Sequence, residues 1–89
     1  MEIQVKTEHF KESTGYTSTT NCPLAVACKD QLPYGTSISV GGSTVLINHQ
    51  RYIIGENWRL LECHTIDEMI QDAENGKEIQ TITVELTQM

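Results

Sequence analysis

The sequence predicts an α+β fold: a four- to five-stranded, mainly antiparallel sheet with two helices on one face, in the order β-α-β-β-β-α-β. Three observations carry this. Strict polar–apolar alternation recurs in "EIQVK", "TSISV" and "TITVEL", the pattern of strands with one wet face. Apolar residues recur at helical spacing twice, at Leu24, Cys28 and Leu32 and at Ile66, Met69, Ile70 and Ala73. The middle strands are separated only by turn-sized segments, which makes neighbours antiparallel.

The elements follow in order. In "EIQVK" Ile3 and Val5 point one way and Glu2, Gln4 and Lys6 the other. Thr7 offers an oxygen to cap a helical turn over "EHFKES", with Glu8 near its positive end. "TGYTSTTN" (14–21) is a loop by composition. A helix runs from about Pro23 to Leu32, its wet edge at Lys29, Asp30 and Gln31, and Pro33 and Gly35 stop it. "TSISV" turns through Gly41 and Gly42, which take positive φ without steric penalty, into "STVLI". "NHQ" makes the next turn, with Asn48 supplying its chemistry, and "RYII" completes a meander that Gly55 ends. Residues 56–64 read either as a short helix or as an irregular packed link anchored by Trp58. Thr65 and Glu68 form a capping-box pair before the second helix, and Gly76 stands where a left-handed cap belongs. "TITVEL" closes the fold, with Ile82, Val84 and Leu86 inward.

Size and charge bound the rest. At 89 residues the chain is one domain, 1–89, with little volume for a deep buried site. Twelve acidic residues against six basic ones give a net charge of −6. That disfavours direct nucleic-acid binding, which depends on cations displacing counterions. No stretch approaches the ~20 apolar residues that span a bilayer, and the first ten residues lack the pattern of a secretory signal. Three cysteines do not make a disulfide framework. The expected setting is a cytoplasm that keeps thiols reduced. The alternating segments "EIQVK" and "TITVEL" offer sheet edges that could pair two copies into a homodimer.

Several stretches occur together: "TEHF" after a first strand, a polar loop, "NCPLAVA", the hairpin "SISVGGSTVLI", "RYII", and "NGKEI" before a terminal "TITVEL". In this combination the chain resembles a group of small uncharacterised phage and prophage proteins with a Cys-Pro-apolar-Ala helix start before a β-hairpin. The likeness covers most of the chain and departs at 56–64, where the link is longer and contains Trp58, Cys63 and His64. The resemblance implies a phage-like origin, host cytoplasm as the location and a shared fold. It carries over no catalytic residue.

Cys22 is the most reactive candidate. Proline disfavours helical geometry in the residue before it, so Cys22 is expected at the N-cap with Pro23 at the first helical position, with Asn21 as the competing cap. A thiol there meets free amides and a positive dipole, which favour thiolate. A nucleophile also needs a base, and no spacing links His9, His49 or His64 to it. The competing reading is a compact packed cap. Cys22, Cys28, Cys63 and His64 suffice in number for zinc. Their spacing does not fit the usual C-x₂₋₄-C and H-x₃₋₅-H pairs, so no metal or other cofactor is implied. "SVGGST" lacks the Lys and following helix of a phosphate-binding loop. Asp67, Glu68, Asp72 and Glu74 give the second helix a carboxylate-rich outer face.

These residues support three readings and no coherent catalytic set. The first is a non-enzymatic binder or inhibitor of a host or phage protein, using Asp67, Glu68, Asp72 and Glu74 against a basic surface. The second is an oligomeric binder of a nucleotide-like ligand, with Tyr16, Tyr34, Gly41 and Gly42 supplying stacking and anion contacts. The third is thiol chemistry at Cys22.

Overall fold

The computed structural model describes residues 1–89. Five strands form one antiparallel sheet in the order β1-β5-β4-β3-β2. In β1 (Glu2–Val5) the alternation buries Ile3 and Val5 and leaves Glu2 and Gln4 outside. The meander is β2 (Ile38–Val40), β3 (Thr44–Ile47) and β4 (Gln50–Ile54). The last strand, β5 (Ile82–Gln88), lies between β4 and β1. It pairs Ile3 with Val84 and Ile54 with Leu86, so the inward residues of three strands meet in register.

The α+β expectation holds, with four helices where two were expected. The short ones are α1 (Thr7–Glu12) and α3 (Glu56–Arg59); the longer ones are α2 (Pro23–Gln31) and α4 (Cys63–Glu74). α1 packs between α2 and α4, and α2 reaches both edge strands, β1 and β2. Buried Phe10, Leu24, Ile66 and Ile70 join the inward strand residues in one core. Each such side chain contributes about 1.5–3 kcal/mol on burial. The opposite sheet face, with Glu2, Gln4, Ile53, Thr83, Glu85 and Thr87, stays exposed.

Several local expectations are corrected. Thr7 does not cap α1; Lys6 holds that position. The Thr7 hydroxyl instead accepts the Ile79 N–H at 2.8 Å and donates to the Ile79 carbonyl at 3.1 Å, tying α1 to the segment before β5. Thr65 does not cap α4. The helix begins at Cys63 with Glu62 as its cap, and the Thr65 and Ile66 N–H groups bond to the Glu62 carbonyl. The donors that a Thr65 cap would satisfy are therefore those of a helix already under way. Neither Gly41 nor Gly42 takes positive φ; the left-handed hairpin residues are Asn48 (φ 51°) and His49 (φ 68°). They form the two-residue turn between Ile47 and Gln50, whose twist matches the flanking strands.

Other readings hold. Cys22 is extended (φ −72°, ψ 164°) with Pro23 next in the helix. Leu32, held before Pro33, is extended at the other end of α2 (φ −106°, ψ 161°). Gly76 (φ 86°) ends α4 in a Schellman arrangement: its N–H bonds to the Ala73 carbonyl and the Lys77 N–H to the Asp72 carbonyl.

The edges also differ from expectation. "TITVEL" is an interior strand, not an edge. At the β1 edge, the Gln31 side-chain amide accepts the Gln4 N–H at 2.8 Å and donates to the Gln4 carbonyl at 2.6 Å. At the β2 edge, the Val40 N–H bonds to the Thr19 carbonyl at 2.8 Å. Both edges thus have a backbone group satisfied from within the chain, which blunts pairing with a second copy.

Candidate functional site

A cavity of about 250 Å³ opens at the end of the sheet where β2 turns into β3. Four segments build it. The loop before α2 brings Tyr16, Thr17 and Thr19; the α2 cap brings Cys22. The hairpin brings Val40, Gly41 and Gly42, and α3 brings Trp58 and Arg59. The loop is held in place by the Thr19–Val40 bond and by Lys29, whose ammonium donates to the Thr20 carbonyl and to Asn21 Oδ1. Trp58 is buried, and its ring lies 6.1 Å from that of Phe10, which roots the wall in the core.

Two donors at the cavity stand out, the Gly42 N–H and the Arg59 guanidinium. The Gly41 N–H is taken by the Thr44 carbonyl at 2.7 Å, whereas the Gly42 N–H has no acceptor within the chain. Arg59 is the one charged lining residue. Its guanidinium is 3.4 Å from Glu56 Oε1, a pair open to solvent on the Glu56 side. Hydrogen bonding to the Cys63 thiol raises the Tyr16 pKa, and burial and nearby acidic groups add to this.

The thiol at Cys22 does not show the activation its position suggested. Burial raises its pKa, and this outweighs the backbone amides of Ala25 and Leu24, which lower it. No imidazole lines the cavity. His9 is buried beside Asp30, His49 sits in the exposed turn, and His64 Nδ1 is 3.1 Å from Glu62 Oε2. Cys28 is deeper, with its pKa pushed up to about 12 by burial and by neighbouring Cys22. Cys63 is exposed.

Candidate metal ligands gather elsewhere than the sequence suggested. Glu8, His9 and Asp30 bring donor atoms within 4.8 Å of one another. The Lys6 N–H donates to His9 Nδ1 at 2.9 Å, so the neutral ring carries its proton on Nε2 and donates it to Asp30 Oδ2 at 2.9 Å. A metal-bound histidine normally donates through its second nitrogen. Here that nitrogen accepts, so the set serves as a structural hydrogen-bond chain and does not suit a metal.

Three of the four sequence-predicted ligand contacts, Tyr16, Gly41 and Gly42, meet at the cavity, together with Cys22. Tyr34 does not. It is fully exposed on the loop after α2, beside Pro33 and Gly35. Asp67, Glu68 and Glu74 are exposed on α4, while Asp72 is half-buried with its carboxylate 3.6 Å from Lys77 Nζ. Sequence reasoning missed Thr17, Thr19, Val40, Trp58 and Arg59 as lining residues. The available signal was "ENWR": a lone tryptophan beside a cation, directly after a strand-ending glycine.

No helix is long and apolar enough to cross a membrane. Comparison with protein-family models, with curated proteins and with solved structures finds no match for this chain.

Proposed function

We propose that this protein is a small-molecule-binding module whose ligand sits in the cavity between Tyr16, Trp58 and the Gly41–Gly42 turn. One observation carries the reading: four sequence-distant segments converge on a single recess that combines aromatic walls with unpaired donors. Binding sites commonly have this composition, mostly apolar with a few placed polar groups. The raised Cys22 pKa favours a packing role for that thiol over a nucleophilic one.

The test is a fragment library titrated against ¹⁵N-labelled protein. Hits should shift the Thr17, Thr19, Gly41 and Gly42 amides and the Trp58 indole N–H, and Tyr16→Ala should weaken them. Hits scattered over the surface, or none at these groups, would remove the proposal.

A second reading, capture of a basic protein partner by α4, is favoured by one observation. Asp67, Glu68 and Glu74 are exposed, and none of them lies in an ion pair. Reversing these three charges should abolish capture of a partner from host lysate, and unchanged capture would count against it.

A further inference from the structure

The lining chemistry narrows the ligand, given the small-molecule reading of the cavity. We infer that the site takes a small planar aromatic ring carrying one carboxylate, with the ring between Tyr16 and Trp58 and the carboxylate on Arg59 and the Gly42 N–H.

Size sets the first limit. The cavity, at about 250 Å³, falls below the roughly 300–1,000 Å³ of sites that enclose drug-sized ligands. A single substituted ring suits it better than the nucleotide-like ligand the sequence suggested. Shape and polarity set the second. Tyr16, Trp58, Val40 and Cys22 present apolar or π surface, and flat rings stack on such walls with offset or edge-to-face geometry.

Charge sets the third limit. No carboxylate lines the cavity, and its one charged residue is Arg59. A guanidinium grips a carboxylate through two parallel N–H bonds. The present partner, Glu56, is 77% exposed, and such surface pairs are weak because water screens them. A carboxylate desolvated against Trp58 would compete with it on favourable terms. The Gly42 N–H, which has no acceptor within the chain, and the Thr17 and Thr19 hydroxyls of the cavity wall supply further donors to an anion. A second anionic group on the ligand would exceed the single cation available, in a protein already at −6.

Three probes separate ring from charge: 4-hydroxybenzoate, 4-hydroxybenzamide and cyclohexanecarboxylate, each titrated into the full ¹⁵N-labelled chain. The aromatic acid should bind tightest, shifting the Gly42 amide and the Trp58 indole N–H. The amide should be about tenfold weaker or more, the size expected for losing a charge-assisted hydrogen bond, and the saturated acid about three- to tenfold weaker, the size expected for losing aromatic stacking. Arg59→Gln should remove the acid's advantage over the amide while leaving the amide spectrum otherwise intact. Equal binding of acid and amide, or an acid preference that survives Arg59→Gln, would overturn the assignment. Binding of the amide alone would reject the charge while leaving the cavity reading standing. Silence at the cavity from these probes and from the fragment library would reject both.

Discussion

His9 shows how one side chain can hold two elements together. It lies at the third position of α1, where its Nδ1 accepts the Lys6 N–H, one of the donors a helix start leaves free. Its Nε2–H reaches Asp30 on α2. The side chain is 2% exposed, so deleting it opens a void and leaves a half-buried amide without its acceptor. His9→Ala should cost about 2–4 kcal/mol in a urea melt, combining the cavity and hydrogen-bond terms. His9→Asn keeps an acceptor within reach of Lys6 and should recover part of that loss. Asp30→Asn keeps an acceptor for Nε2–H at the exposed end and should cost about 1 kcal/mol or less. If all three variants melted alike, the two hydrogen bonds would not be what positions α1 against α2.

At the scale of elements, the Gln31 amide occupies the hydrogen-bonding groups of Gln4 that a further strand would use. Removing it frees one N–H and one C=O on a sheet edge. Gln31→Ala should therefore speed amide exchange at Gln4 and increase self-association in light scattering at high concentration, with little change in helix content. Unaltered exchange at Gln4 would show that α2 shields the edge by other means. This device was not legible in the sequence, where Gln31 reads only as the wet edge of a helix. The alternating strands, Pro23 and Gly76 were legible because period, ring closure and positive φ are local constraints. Thr65 misled because a capping pattern reports capacity, while the helix starts two residues earlier, with the Glu62 carbonyl already accepting from the Thr65 and Ile66 N–H groups. The cavity was half legible. Tyr16, Gly41 and Gly42 stand out by composition, but that they share a recess with Arg59 depends on how the loop crosses β2, which no local pattern encodes.

For the molecule as a whole, the sheet has helices on one face only, and α2 and its cap carry two of the three cysteines into that single core. Burial raises the pKa of both, with Cys28 near 12 against an ordinary 9.0. The folded chain therefore keeps protons that the unfolded chain releases. A group whose folded pKa is raised stabilises the fold fully below its unfolded pKa, and that contribution is lost as pH climbs toward the folded value. Stability should be level, as far as these thiols are concerned, up to about pH 8.5, and then fall with a slope approaching about 1.4 kcal/mol per pH unit from Cys28, with Cys22 adding a smaller fall in the same direction. Tyr16 acts in the same direction at higher pH, but its exposure makes its part smaller. Urea midpoints measured from neutral pH to about pH 10.5 test this. Cys28→Ala should lower the baseline, because it leaves a small void, and should flatten the alkaline fall, because the deepest thiol is gone. A wild-type midpoint that stayed constant across that range would mean the core admits thiolate as readily as water does, and the close packing of α2 against the sheet would have to be abandoned.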